Sequence, residues 1–288
     1  MRKIAVIIVS VCLLLCGCTT SEPPKTTNQN TELLKGIWIT YNELSSFSSS
    51  SQGFVLAFEE AVVKAKNIGI NTFFVHTRAF CDAVYNSELF PFANYITSDS
   101  DALKSMIDIC HQNDIEFHAW INPYRVSTAS NDVNTLTDTS PAKQWLTDDN
   151  VENDKNICLT DSGIYLNPAE SECKKLVLDG VREILQNYDV DGIHIDDYFY
   201  PTTETQFDES SYLLYSQSLE NPLTLEEWRR KNVSSLINSI YCTVKAHDKN
   251  IMFGVSPAAD INRNYNTLFA EVEGWIGGGY VDYILPQL

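Results

Sequence analysis

Basic side chains are scarce in this 288-residue chain: 20 Lys and Arg stand against 38 Asp and Glu, a formal charge of −18 at pH 7. The field this creates repels polyanions, which excludes nucleic acid and an anionic membrane surface as principal partners. No apolar run reaches the roughly 20 residues a comfortable membrane span requires, so multi-span membrane classes are excluded. No C-x-x-C pair occurs, which removes zinc-ribbon and thioredoxin readings. No G-x-G-x-x-G or P-loop follows any β-rich run, which weakens nucleotide binding. H-x-H and H-E-x-x-H are missing as well, and no metal or other cofactor is expected. What is present, 44% apolar and 11% aromatic residues, is a globular composition long enough for one large α/β barrel or two smaller domains.

The N-terminus has the form of an export signal. Arg2 and Lys3 precede an apolar run from Ile4 to Leu15, which is short for a span but suits a secretory h-region. The run closes in Leu15-Cys16-Gly17-Cys18, which looks like a bacterial lipobox. Residues 1–17 are therefore expected to be removed and Cys18 to carry lipid, an acyl group such as palmitate included. Residues 18–33, rich in Thr, Ser, Asn, Gln and Pro, follow as a flexible tether, and 34–288 form the folded domain. The expected location is the cell envelope, outside the cytoplasm, with the membrane contacted through the lipid alone. Five cysteines remain, an odd number, and most are expected to be buried as small apolar residues.

From Lys35 onward, β-rich runs alternate with amphipathic helices. Strands are predicted at Gly36–Asn42, Asn71–Thr77, Ile115–Ile121, Val190–Asp196, Ile251–Ser256 and Tyr280–Pro286. The first helix buries Phe54, Phe58, Ala61, Val62, Ala65 and Ile68, and the second covers roughly Asp101–Gln112. A third opens at Asn167-Pro168 and runs to about Tyr188; a fourth starts with the capping box Thr224-x-x-Glu227 and runs to about His247. Such alternation implies parallel strands covered by helices, and the long polar and aromatic loops after the strands favour a (β/α)8 barrel of the TIM type over a doubly wound sheet. Six strands are visible where eight are needed, so the barrel is expected to be truncated.

Successive side chains on a strand point to opposite faces. Strict alternation puts Trp38, Thr40 and Asn42 on one face, with Phe74, His76 and Arg78, then His118, Trp120 and Asn122, then His194 and Asp196. The aliphatic residues between them would lie under the helices. Buried polar groups are costly without partners, so this convergence marks either a binding site or a hydrogen-bonded plug in the barrel.

The densest cluster is Asp191-Gly192-Ile193-His194-Ile195-Asp196-Asp197-Tyr198-Phe199-Tyr200-Pro201. Two carboxyl groups at a strand end suit glycosidic bond cleavage, which pairs a nucleophile or base with a protonated acid. Asp196 points inward and is the better nucleophile or base. Asp197 is a candidate acid or an orienting neighbour, with Glu43, Asp82 and Asp260 as other candidate acids, since each follows a strand. Tyr198, Tyr200, Trp120, Tyr124 and Trp228 offer stacking faces for sugar rings. Arg78 and Arg125 offer forked donors for a carboxylate or hydroxyls. Arg229 and Arg230 are expected in surface or loop pairs.

Several stretches together resemble the glycosyl-hydrolase-like family 10 lipoproteins, also known by a domain of unknown function. They include Gly36-Ile37-Trp38-Ile39-Thr40, the run from Arg78 to Tyr85, His118-Ala119-Trp120-Ile121-Asn122-Pro123-Tyr124-Arg125, the Asp196-Asp197-Tyr198-Phe199-Tyr200-Pro201 run, Trp228–Asn232, Phe253–Pro257 and Asp282–Gln287. The resemblance covers residue 34 to the end. It implies a (β/α)8 barrel, an envelope location and glycoside hydrolysis, with peptidoglycan strands stripped of stem peptides as the substrate of one divisome-localised member. The chain departs from the pattern by ending at Leu288 and by carrying Cys81 before Asp82. Two other readings compete: a glycan-binding lipoprotein without activity, and a metal-dependent hydrolase using His76, His118, His194 and an Asp.

Overall fold

Short runs of Ile, Val and Phe, each bounded by a polar turn, become the strands of one parallel sheet in the computed structural model, which describes residues 33–48, 50–97, 101–161 and 163–288. The expected signal segment, Cys18 and all but the last residue of the tether lie outside the described residues. In chain order the elements are β1 (Gly36–Ile39), α1 (Tyr41–Phe47), α2 (Ser51–Asn67), β2 (Thr72–Arg78), α3 (Ala102–Gln112), β3 (Glu116–Ile121), β4 (Arg125–Ser127), α4 (Pro141–Thr147), β5 (Ile157–Leu159) and β6 (Ile164–Leu166). Then come α5 (Ser171–Asn187), β7 (Gly192–Ile195), α6 (Glu209–Gln217), α7 (Leu225–His247), β8 (Met252–Val255), α8 (Ile261–Asn266), α9 (Val272–Gly278) and β9 (Tyr283–Ile284).

The main sheet runs β1-β2-β3-β7-β8-β9, every neighbouring pair parallel. The order rises steadily and never reverses. A doubly wound sheet reverses at a switch point, so this is barrel topology. All six strands predicted from the sequence are present, and together they make a curled, six-stranded half-barrel of the TIM type.

Rings on the inner face measure the curl. The Trp38 indole Nε1 on β1 donates to Nε2 of His194 on β7 at 3.3 Å, three strands away. Phe74 on β2 and Tyr283 on β9 stand with ring centroids 6.0 Å apart, four strands away. Neighbouring strands are about 4.8 Å apart, so a flat sheet would hold these residues well over 10 Å from one another. Glycines make room for the rings. A Cβ at Gly192 would overlap the His118 imidazole, and one at Gly254 would overlap the Tyr283 ring. This pairing of bulky with absent side chains on adjacent strands fills the tapering interior.

Phe73, Val75, Phe117, Ala119, Ile193, Ile195, Phe253 and Val255 face the other way and are fully buried beneath the helices. From α2, Phe54, Phe58, Val62 and Ala65 join this core. Ile68, predicted inward, sits at the C-cap instead and is 78% exposed. The α3 and α7 boundaries agree with the sequence reading, the Thr224–Glu227 capping box included, and Asp101 serves as the N-cap of α3. Asn167-Pro168 does not open α5. The Asn167 carboxamide oxygen accepts from the amide of Ala169 at 3.0 Å in a local turn, and the helix begins after Glu170. Between β3 and α5 lies an antiparallel sheet, β4-β6-β5, whose three-residue strands are too short to leave a periodic signal. Among the described cysteines, Cys81, Cys110, Cys158 and Cys173 are buried thiols and Cys242 is exposed.

Replacing Gly254 by Ala forces a methyl group into the Tyr283 ring and is expected to cost about 1–3 kcal/mol. Equilibrium urea unfolding reads the loss directly. An unchanged midpoint would mean that the ring is not seated against this strand.

Candidate active site

Polar and aromatic side chains collect where the parallel strands end. The cleft there has a volume of ≈ 460 Å³ and takes its walls from seven of the nine strands or the turns after them. Trp38, Thr40, Tyr41 and Asn42 come from β1 and the turn into α1, His76 from β2, Trp120 from β3 and Arg125 from β4. Asp196 and Tyr198 follow β7, Ser256 follows β8, and residues 285–288 follow β9. A site at the C-terminal ends of the strands is where barrel enzymes carry their chemistry.

Asp196 is at the centre. Its carboxyl is almost fully buried, receives the Trp120 indole N–H at 3.2 Å and the Tyr198 amide at 3.2 Å. Burial pushes this carboxyl up to about 8, a direction that the neighbouring charge of Asp197 reinforces and the Tyr198 amide and Arg125 oppose. At neutral pH the group therefore carries a proton, which suits a donor better than the nucleophile or base role that alternation alone suggests. Asp197 turns aside, out of the cleft lining, and accepts from the Gln287 amide at 3.1 Å.

His76 stacks on the Trp120 ring, and its Nδ1 accepts from the Tyr41 amide at 3.3 Å. Burial, and then the nearby Arg125 charge, hold its imidazole down to about 3, so it is neutral. His194 lies beneath the floor. Its Nε2 accepts from Trp38 and faces Ser256 Oγ at 2.9 Å, which leaves the ring proton on Nδ1, facing the Tyr283 hydroxyl at 3.1 Å. The Tyr283 hydroxyl in turn meets His118 Nδ1 at 2.7 Å. Burial holds His194 well below its ordinary value. His118 and His194 thus form the hydrogen-bonded plug that was one of the two readings of the inner face. Among the described residues no three His, Cys, Asp or Glu side chains stand close enough to share one ion.

Several predicted site residues lie elsewhere. Arg78 faces outward, because the β2–β3 register slips between His76 and Arg78 and inserts Thr77. The guanidinium stacks 3.8 Å over Phe90 and lies against Gly180 of α5. Asp82 is turned onto its own loop, accepting from the amides of Ala79 at 3.1 Å and Phe80 at 3.0 Å. That loop takes Cys81 through a left-handed φ of 54°, where a small side chain is the least strained. Asn122 donates to the Ala79 carbonyl at 3.2 Å beside His76, behind the cleft wall. Tyr124 and Tyr200 are core residues, each 1% exposed, and Trp228 packs against Tyr212 and Tyr215. Glu43 is spent on the α1 capping box, and Asp260 caps α8. Trp120, Arg125, Asp196, Tyr198 and His76 are therefore the predicted residues that meet in the cleft. Trp38, placed on the inner face by alternation, also lines the cleft, whereas Ser256 and Tyr283 are not singled out by the sequence, although alternation along β8 and β9 gives their inward direction.

Residues 33–288 match a family described as Glycosyl hydrolase-like 10. The chain belongs to this family. It is 29% identical to glycosyl hydrolase YngK of Bacillus subtilis (strain 168), over 96% of this chain and 58% of that protein. To glycosyl hydrolase DigH of Escherichia coli (strain K12) it is 27% identical, over 98% of this chain and 74% of that protein. The chain thus spans little more than half of the first relative and about three quarters of the second. Among solved structures, the PgaB (BpsB) glycoside hydrolase domain from Bordetella bronchiseptica superposes with a TM-score of 0.62 at 10% identity, covering 88% of this chain and 73% of that one. An α-amylase from Geobacillus thermoleovorans gives 0.51 at 12% identity, covering 87% and 51%. At these identities the structures show a shared fold, in agreement with the barrel topology.

A carboxyl that keeps its proton only in the folded state makes stability fall as pH rises from its ordinary value, near 3.8, to about 8. Asp196→Asn removes that decline. The variant is expected to gain stability relative to the parent progressively from about pH 4 to about pH 8 and to hold that gain above it, read from urea midpoints. Parallel pH dependences would show that the carboxyl titrates in its ordinary range.

Proposed function

We propose that this chain hydrolyses glycosidic bonds, with Asp196 as the proton donor. One observation carries the reading: a buried, protonated carboxyl, held between an indole N–H and a backbone amide, faces a sugar-sized cleft walled by Trp38, Tyr41, Trp120 and Tyr198. Asp196 gives its proton to the leaving oxygen as the C–O bond breaks. Water then adds to the anomeric carbon and returns a proton to the carboxylate. The aromatic faces hold the sugar rings, and neutral His76 and the His118–Tyr283–His194 plug keep the floor rigid. Family membership and the names of YngK and DigH support hydrolysis of glycans.

The substrate proposed is a cell-envelope polysaccharide, with peptidoglycan strands freed of stem peptides as the leading case. The location proposed is the envelope, outside the cytoplasm, with the domain tethered through lipid on Cys18; the lipobox-like Leu15-Cys16-Gly17-Cys18 supports it. A second reading, glycan binding without turnover, is favoured by one feature. Asp196 is the single carboxyl side chain among the described residues lining the cleft, whereas most glycosidases use two.

Asp196→Asn is expected to lower the release of reducing ends from stripped glycan strands by about a hundredfold or more while the circular dichroism spectrum is kept. Parent activity should fall as pH rises through about 8, where the donor loses its proton. Wild-type turnover in the variant would remove the assignment. Binding by the parent with no reducing ends released would establish the second reading.

A further inference from the structure

Arg125 is the first residue of β4, and its place on the cleft wall is set by backbone pairing with Tyr165 on β6. Its guanidinium carbon lies over the Tyr198 ring, 3.5 Å from the centroid, and 6.0 Å from the centroid of Phe80. Among the described residues it makes no ion pair. Nor does its side chain donate a hydrogen bond to any described group, whereas Arg229, buried below, shows what a satisfied guanidinium looks like in this chain. Arg229 Nε stands 3.1 Å from both carboxylate oxygens of Asp208, and further N–H groups donate to the carbonyls of Thr203 at 3.2 Å and Glu204 at 2.7 Å.

An unpaired cation is unexpected here, because acidic residues outnumber basic ones by 38 to 20. The carboxyl side chain that shares the cleft lining, Asp196, is already held by Trp120 and the Tyr198 amide, and keeps its proton to about pH 8. The imidazole on the wall, His76, is neutral. Among the described residues lining the cleft, Arg125 is thus the one Lys or Arg, inside a molecule whose overall charge is negative. Stacking on Tyr198 covers one face of the guanidinium and restricts its rotation, which leaves the N–H edge as a preorganised fork for a planar anion.

We infer that Arg125 binds a carboxylate carried by a sugar of the substrate, seated beside the ring whose bond is cleaved at Asp196. The inference rests on the glycan reading of the cleft and adds the side chain that recognises an acidic sugar there. The carboxylate is supplied either by a uronic acid ring or by a lactyl ether arm, such as peptidoglycan exposes once its peptides are gone. The negative surface makes a neutral glycan the easier partner at long range, so the local cation is what selects an acidic one.

The test is calorimetric titration of the full chain carrying Asp196→Asn, so that binding is read without turnover. The titrants are peptide-free peptidoglycan strands and polygalacturonate, each before and after reduction of its carboxylates to alcohols. One acidic polymer is expected to bind, with its reduced form about ten- to a hundredfold weaker. Adding Arg125→Gln should bring the acidic polymer down to the level of its reduced form and leave the reduced form unchanged. Which polymer binds identifies the lactyl or the uronic source. Equal binding of native and reduced polymers, or an equal loss of both in the Arg125→Gln variant, overturns the inference and leaves the glycan reading standing. No binding of any of the four overturns the glycan reading itself, and this inference with it.

Discussion

Removal of one carboxyl group from water is the constraint on which the site depends, and the curl of the sheet produces it. Asp196 ends a short central strand, where an open sheet would leave it in solvent. Here β1 and β9 bring Trp38 and Tyr283 around to the same interior that His194 and Phe74 occupy. The interior fills with rings because glycines stand opposite them at positions 192 and 254. With rings and neutral imidazoles on the inner side and Trp120 across the strand pair, the carboxyl loses more hydration than two hydrogen bonds restore. A proton-holding acid is thus a consequence of barrel packing, and its chemistry follows from the fold.

The same packing explains why the histidines divide into two groups. His118 and His194 lie one level down, where both nitrogens of His194 and Nδ1 of His118 meet hydroxyls or an indole within the barrel. His76 lies a level up and reaches the cleft wall. Depth along the strand, read from the register, separates structural from site-lining imidazoles. The charge pattern is divided likewise. The exterior is acidic, the buried Arg229 is matched by Asp208, and Arg125 stands at the cleft without an ion-pair partner.

Much of this was legible in the sequence wherever strict alternation holds. The strands at 36, 116 and 192 obey it, so the inward direction of Trp38, Trp120, His194 and Asp196 follows from the residue pattern alone. It fails in β2, where a single inserted residue, Thr77, reverses every position after it and sends Arg78 under α5. A bulge leaves no compositional mark, and Arg78 looks as polar outside the barrel as within it. Tyr124 and Tyr200 lie past the strand ends, where alternation has no force, and both are drawn into the core. The position of Arg125 depends on a three-stranded antiparallel sheet whose segments are only three residues each, too brief for any periodicity to register. Carboxyl groups that follow strands were all equal candidates in sequence. Only contacts show Glu43 and Asp260 occupied as helix caps and Asp82 bound to its own loop.

The central claim is that the fold itself keeps Asp196 protonated at neutral pH. Carbon-13 NMR of aspartate-labelled protein follows each side-chain carboxyl through a pH titration, and the Asp196 resonance is the one missing from the Asp196→Asn spectrum. The account predicts a midpoint at about 8 for that resonance. A midpoint near 4, in the ordinary carboxylate range, would contradict it.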